Sequence, residues 1–589
     1  MLAVLLSWII ASFVFFSFGR GGIVLFDKLI GKESGYSFVD TLLLGMCFTA
    51  TIIAVCSLVI PANIYLLIAL FVVSGLYWVL NKNDLIGSFD RIKICFASIN
   101  KWQFILLVSP AILFLIHSVT APLWVDTPYY HIQNIMWNEQ YHVVPGLANL
   151  QPRFGFNSNY YLLCSVFGLR PLLGQYIFGV HQLCIVAIFT WIIFRSIKGL
   201  SFAKTVVSIF IITAFIAVYK LHITSPSSDL LPNLLIVYLF IKIIIDGDKA
   251  LFKLPLLFVC IPAFCLTLKL SAFVVGIFTI VVFYNCIKNK QYKMLLFLVS
   301  LAFIIIAPWS IRTIIITGYL IYPYPAIDIF SFDWKVPVEY VQDQKDYILA
   351  FARIDGSPIE EVLSLPFLQW VPRWWQSGMF YYNPLANRLF AFLMLLSIPL
   401  MLILLVTLGK KRKSYLNLFY IWLIAFLAIV VWFLSAPDFR FAYGFILPVC
   451  IIPIYIFTDV FSYKYLQNKK ILKTLNLFVV ISAILFVALQ SVRWAYYQHD
   501  ITASLSELFF KPQTLDYTKK LKEEKYSEEI LFVRQRVNNV DIYSANIETH
   551  CYDCPLPCSS DYTGGIEMRG ETLQDGFRSR AKAPYRRSY

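Results

Sequence analysis

Charge is scarce in this sequence: Asp, Glu, Lys and Arg make up 14% of its 589 residues, against 59% hydrophobic residues and a mean hydropathy of +0.71. Soluble globular chains carry roughly a quarter charged residues. The shortfall excludes a soluble enzyme, a disordered chain and a disulfide-stapled mini-protein. Also missing are a Gly-rich phosphate loop, a Walker motif, a heptad run and any internal repeat. Without a phosphate cradle ATP hydrolysis has no seat, which weakens a primary-pump reading. The first apolar stretch lacks a basic n-region and a small-residue cleavage site, so it reads as a retained helix rather than a signal peptide. The charge that is present is unevenly placed. Residues 492–589 hold 14 basic and 14 acidic side chains, so the net +15 lies wholly in residues 1–491, with 35 basic against 20 acidic. Loops that obey the positive-inside bias account for this excess without nucleic acid as a partner.

Apolar runs are what the chain has in plenty. A helical crossing takes about 20 largely apolar residues, and such runs lie near 2–19, 40–60, 63–80, 103–121, 172–194, 205–221, 230–245, 254–268, 270–286, 294–314, 388–408, 416–434, 441–460 and 472–490. The expected fold is therefore an all-α polytopic membrane protein of about fourteen transmembrane helices. Lys82, Arg91, Lys93 and Lys101 share one connection, and Arg195, Lys198 and Lys204 another. Three more groups follow: Lys288, Lys290 and Lys293; Lys410, Lys411, Arg412 and Lys413; Lys464, Lys469, Lys470 and Lys473. With fourteen crossings all five fall on one face, the cytoplasmic one. The other face receives loops 122–171 and 315–387, the latter with eight acidic and four basic residues. The chain thus divides into N-terminal transmembrane helices (1–101), a core with those two external loops (102–460), a last crossing (461–491) and an external tail (492–589). The tail reads as a small α/β or irregular segment. Its Cys551, Cys554 and Cys558 admit a disulfide with one thiol left over, three free thiols, or a zinc site completed by His550.

Sites are built on loops held by a rigid scaffold, and the first external loop is the richest in polar and aromatic groups. It opens Leu123-Trp124-Val125-Asp126-Thr127-Pro128-Tyr129-Tyr130-His131 and continues through Trp137, Glu139, His142 and Arg153 to Asn157, Asn159, Tyr160 and Tyr161. Asp126 either ends a helix in solvent or serves as a working carboxylate at the interface. Ser225-Pro226-Ser227-Ser228-Asp229 precedes a helix, where Asp is also a favoured N-cap. Pro437-Asp438-Phe439-Arg440 forms a tight external turn whose Arg either snorkels or holds a phosphate. Lys269 sits between apolar runs and is costly unless paired or facing a cavity, with Arg312 a weaker case of the same kind.

These residues resemble a known family. An acidic residue just after a membrane helix, then Tyr-His, then Arg153-Phe-Gly-Phe-Asn-Ser-Asn-Tyr-Tyr161, look like the first external loop of C-type (GT-C) glycosyltransferases. Those enzymes span the membrane many times and take sugars from polyprenyl-phosphate or polyprenyl-diphosphate carriers; protein mannosyltransferases and aminoarabinose transferases are among them. The resemblance covers about residues 100–460. It departs from the family in placing three helices ahead of the one that leads into the key loop, and in Thr127 where many members have a second acidic residue. Asp229 is like the family's second acidic motif, and Pro437–Arg440 like its late Asp/Pro–Arg turn.

The resemblance implies a membrane glycosyltransferase in cell-surface glycan or glycolipid synthesis, with the bilayer, a polyprenyl-phosphate-linked sugar donor and a lipid, glycan or protein acceptor as partners. Asp126 is the expected catalytic base. Arg440, Arg153 and Lys269 are the expected phosphate holders, with His131, Asp229, Asp438 and Tyr129 as further substrate-binding groups. Tyr129, Tyr130, Trp374 and Trp375 are candidates to stack on sugar faces. No cofactor is required, because phosphate is a good leaving group, although Asp126 and Asp229 together suit a divalent metal. Short loops and an Ile/Phe/Lys-rich composition point to a bacterial inner membrane with the site outward. The alternatives are a transporter or flippase for a polysaccharide or lipid-linked glycan, and an O-antigen polymerase or ligase type of enzyme. The first should show midplane charges and matching halves. The second tends to concentrate arginines in a late external loop, and 315–387 holds only Arg353 and Arg373.

Overall fold

The computed structural model describes residues 1–498, 532–545 and 550–579, apart from 119, 121, 123, 377–382, 410, 411, 466, 467, 560 and 564. Leu123, Lys410 and Lys411, the side chains of Arg412 and Lys464, and much of the tail lie outside the described residues. Nearly everything described up to residue 498 is helix or the turn between helices.

Nine helices among the described residues are long and apolar enough to cross a membrane: Leu2–Ile30, Phe38–Cys56, Val180–Ile197, Leu270–Lys288, Tyr292–Thr317, Pro384–Thr407, Tyr415–Ser435, Tyr443–Ser462 and Lys469–Arg493. A tenth is formed if Ile64–Leu80 is joined to Lys82–Ala97, from which it is bent by 93°. Four further apolar runs fold as helices of 17 residues or fewer: Lys101–His117, Phe202–Val218, Leu230–Asp246 and Pro255–Leu268. The protein is thus an all-α polytopic chain, and the fourteen-crossing count depends on those shorter helices. Several boundaries move. The first helix runs on to Ile30, the run at 172–194 becomes helical only from Val180, and the last helix reaches Gln498, past the expected limit of 491.

Local sequence explains the ends. Ser37 and Asp40 form a reciprocal capping box at the start of Phe38–Cys56, as Asn100 and Gln103 do for Lys101–His117, satisfying amide hydrogens that would otherwise lack partners. Gly318 closes Tyr292–Thr317 in the left-handed conformation. Leu2–Ile30 and Phe38–Cys56 cross where Gly19 and Gly45 let the backbones meet; a Cβ on Gly19 would lie 1.9 Å from the Thr41 carbonyl oxygen. Small residues allow this approach in lipid, where packing rather than water exclusion holds helices together. Leu230–Asp246 is buried on every side as far as Ile245. Its Lys242 is paired with Asp40 at 2.7 Å and Asp246 at 3.0 Å.

One end of the bundle collects several of the Lys- and Arg-bearing connections. Arg195 pairs with Asp246 at 2.8 Å, Lys204 donates to the Ile245 carbonyl at 2.8 Å, Lys198 donates to the Ser98 carbonyl, and Asn476 donates to the Leu200 carbonyl at 2.8 Å. The described part of the tail forms two antiparallel hairpins, Phe532–Val537 with Val540–Ala545 and Ile566–Met568 with Phe577–Ser579.

Candidate active site

Asp126 does not end the preceding helix. That helix stops at His117, and Asp126 opens the next helical segment, a wide turn over Thr127–His131 leading into Ile132–Gln140. Such π-type turns are rare and tend to mark working sites. Around the Asp126 carboxylate the Trp124 indole donates at 2.9 Å, Arg440 Nη1 lies at 3.5 Å, and Arg153 Nη1 lies at 3.9 Å.

Asp229 stands at the start of Leu230–Asp246 but caps nothing with its side chain. The N-cap reading is corrected: its carboxylate pairs with Lys269 and lies 3.9 Å from Arg440 Nε. The Lys269 ammonium also sits 3.7 Å from the centre of the Phe441 ring. It thus has both partners that a cation in apolar surroundings requires. Asp438 accepts from the Arg440 backbone N–H at 3.0 Å, which closes the Phe439–Phe441 turn, and its other oxygen lies 2.7 Å from Arg440 Nε. That last contact is an ion pair without hydrogen-bond alignment, leaving the buried Nε–H without a hydrogen-bond partner.

Three carboxylates and three cations therefore meet in one cluster of zero formal charge. Their side-chain exposures run from 7% for Asp229 to 24% for Lys269, so the cluster is recessed and still reachable. Burial alone would raise the Asp126 pKa; Arg440 and Arg153 outweigh it and hold the group down at about 2. Burial also acts upward on Asp229, where Lys269 and Arg440 win and the pKa is lowered. At Asp438 burial prevails over Arg440, and the pKa is raised. His131 is pushed down to about 4 by burial. It packs against Tyr130 and Tyr161, and its Nδ1 is buried without a hydrogen-bond partner.

The expected base and phosphate holders, Asp126, Arg440, Arg153 and Lys269, and the further substrate-binding candidates His131, Asp229, Asp438 and Tyr129 are all in or beside this cluster. Tyr129 and Tyr130 lie under the Arg153 guanidinium at 5.0 and 5.4 Å, and Tyr129 donates to Asp561 of the tail. Trp374 is turned inward, donating to the Pro437 carbonyl at 2.9 Å and stacking on Phe439. It braces the Asp438–Arg440 turn instead of presenting a face for a sugar, whereas Trp375 is exposed. Arg312 is elsewhere, held by Ser57, Asn138 and Asn157.

Several contributors were not foreseen. Trp124, Phe351 and Phe441 lie under the Arg440 guanidinium at 5.2, 5.6 and 5.0 Å, and Tyr347 lies 5.5 Å from that of Arg153. Tyr219 donates to the Arg440 carbonyl at 2.6 Å, and Asn233 donates to the same oxygen at 3.2 Å while accepting from Gly444 N–H at 2.7 Å.

The described part of the tail lies against loop 122–171. Tyr552 N–H donates to the Pro128 carbonyl at 2.8 Å, Thr563 N–H to Asn149 at 2.9 Å, and Phe577 N–H to Pro145 at 2.9 Å; Gln133 donates to the Cys554 carbonyl at 2.8 Å. Gly146 and Gly576 both have positive φ, and a Cβ on either would collide with the opposing backbone, at 2.0 Å from Phe577 O and 2.1 Å from Pro145 O. Cys551 and Cys558 form a disulfide and Cys554 is a buried thiol. Two of the three sulfurs are thus committed to each other, which corrects the zinc reading. Among the described residues no group of three His, Cys, Asp or Glu side chains is arranged to hold a metal; the carboxylates here face cations.

A family model described as a domain of unknown function (DUF8201) matches residues 1–447, a stretch that contains every member of the cluster. No curated protein matches the chain.

Proposed function

The chain belongs to the DUF8201 family, and from the Asp126 cluster we propose that it is a membrane glycosyltransferase that moves a sugar from a polyprenyl-phosphate-type donor to an acceptor. The proposed fold is of the GT-C kind with about fourteen crossings, the membrane a bacterial inner membrane, and the site outward. One observation carries the reading. Asp126, Asp229 and Asp438 with Arg153, Lys269 and Arg440 come from five separate stretches of chain and share one recessed cluster. It lies at the bundle end away from the Lys- and Arg-bearing connections.

Sugar transfer requires a base for the acceptor hydroxyl and fixed positive charge for the departing phosphate. A carboxylate with a pKa near 2 is a weak base while two guanidiniums hold it. A donor phosphate changes that balance: it competes for Arg440 and Arg153 and brings negative charge beside Asp126. Both effects raise the Asp126 pKa, so donor binding turns an ion-pair partner into a general base worth about 10²–10⁴-fold. Arg440 suits the phosphate because its fork binds bidentately and its Nε–H is unused. Lys269 holds Asp229 back from the same guanidinium. In this reading His131, whose Nδ1 has no hydrogen-bond partner, is a further substrate-binding group, and the tyrosines around Arg153 offer ring faces to a sugar.

Donor-dependent kinetics of Arg440→Lys test this reading. Lys keeps the charge against three carboxylates, so the variant should fold, but it loses the fork. The donor KM should rise roughly tenfold, the loss of one charge-assisted hydrogen bond. An unchanged donor KM would remove Arg440 from the phosphate site.

A further inference from the structure

A second polar site lies away from the cluster, at the end of Tyr292–Thr317 nearest the first external loop. Arg312 is 3% exposed, yet among the described residues no carboxylate lies within ion-pair distance of it. Its partners are neutral: Ser57 Oγ at 2.7 Å, the Ser57 carbonyl at 3.5 Å, Asn138 Oδ1 at 2.6 Å and Asn157 Oδ1 at 3.3 Å. A guanidinium has five N–H groups and does not give up its proton in proteins, so at least one N–H is unspent and the charge is uncompensated. Burying a charge without a counter-ion is strongly unfavourable.

Arg312 lines a small cavity of about 10 Å³ together with Trp137, Asn134, Asn138, His142 and Asn157. Trp137 is 2% exposed and its indole N–H has no partner. No carboxylate lines the space, and the nearest acidic residue in sequence, Glu139, is spent on Arg170 at 2.7 Å. Arg312, with an unspent donor and an unbalanced charge, and Trp137, with an unspent indole N–H, thus line the same small void.

We infer that this cavity binds a small monovalent anion of the halide class, chloride above all. The ion supplies the missing counter-charge and accepts from Arg312 and the Trp137 indole; a halide is a single spherical acceptor little larger than the one water that such a space holds. Because Arg312 also holds Asn138 and Asn157, occupancy ties the Tyr292–Thr317 helix to two separate points within loop 122–171.

The test is thermal unfolding of the full chain in detergent, with chloride, bromide, sulfate or gluconate at constant ionic strength. A ligand that binds only the folded state raises its stability in a saturable way. The melting temperature should therefore climb and level off with chloride and bromide, and stay flat with sulfate and gluconate. Arg312→Gln should abolish the halide response. Trp137→Phe, which keeps the ring and removes the donor, should move the halide midpoint up roughly tenfold. If Arg312→Gln does not fold, the Trp137→Phe shift decides. Equal melting in chloride and gluconate, or a halide midpoint unchanged in Trp137→Phe, would overturn the inference and leave water as the occupant.

Discussion

Asp126 is held between opposing effects: burial that favours its neutral form, and two arginines that favour its charged form more strongly. At its neighbour His131 burial outweighs the pull of Asp126 and Asp229 and keeps the ring neutral down to about pH 4. A histidine whose folded pKa lies below its ordinary value near 6.5 binds fewer protons when folded than when unfolded. Its contribution is therefore full above that value and is lost progressively as pH falls from about 6.5 to 4. His131→Gln should flatten the fall in melting temperature over that window relative to wild type; parallel curves would show that His131 is not held neutral in the fold. Charged residues were the legible part of the site. Asp126, Lys269 and Arg440 border apolar runs, where a charge demands an explanation. Trp124, Tyr347, Phe351 and Phe441 gave no such signal, because aromatic rings near a bilayer are expected in any case, and only their position under a guanidinium distinguishes them.

At the scale of elements, the apolar runs translated into helices and the breaks between them did not. The charged stretch 82–101 has the sequence of a connection, yet Lys82–Ala97 forms a helix set at 93° to the one before it. Asp229 looked like a helix cap because a favoured capping residue preceded a helical run; its partner Lys269 is 40 residues further on, beyond any local pattern. The tail was still less legible. Residues 550–579 pack against a loop some 400 positions earlier, through backbone hydrogen bonds that carry no residue-type signature. That docking is testable at Gly576, where alanine would be strained by the positive φ and would press on the Pro145 carbonyl. The Gly576 backbone lies in a region essentially confined to glycine, so the strain alone is about 1–3 kcal/mol. Gly576→Ala should therefore speed limited proteolysis of the tail roughly tenfold, since cleavage follows the population of the open form. An unchanged cleavage rate would mean the tail is not held at this contact.

Across the whole molecule, charge separates to the two ends of the bundle. Arg195, Lys198, Lys204 and Asp246 meet at one end, and the Asp126 cluster gathers at the other with the tail against its loop. The count of basic residues along the sequence anticipated this division, since alternate loops alternate in charge. The convergence of five stretches at a single cluster was not legible, because it depends on how helices pack. The proposed orientation is checked with single cysteines in a background where exposed Cys95 is replaced. Asn289→Cys should react with an impermeant maleimide only from the cytoplasmic side and Asp355→Cys only from the other; the reverse pattern would put the cluster on the wrong face for an outward enzyme. The central claim is that Asp126 is the base for sugar transfer from a lipid-linked donor, and sugar transfer in membranes with matched protein levels tests it most directly. Asp126→Asn keeps the shape and the Trp124 contact but removes basicity. Transfer by the inserted, folded variant should fall by about 10²–10⁴-fold, with Asp126→Glu retaining more activity than Asn. Near-normal transfer by Asp126→Asn would contradict the account.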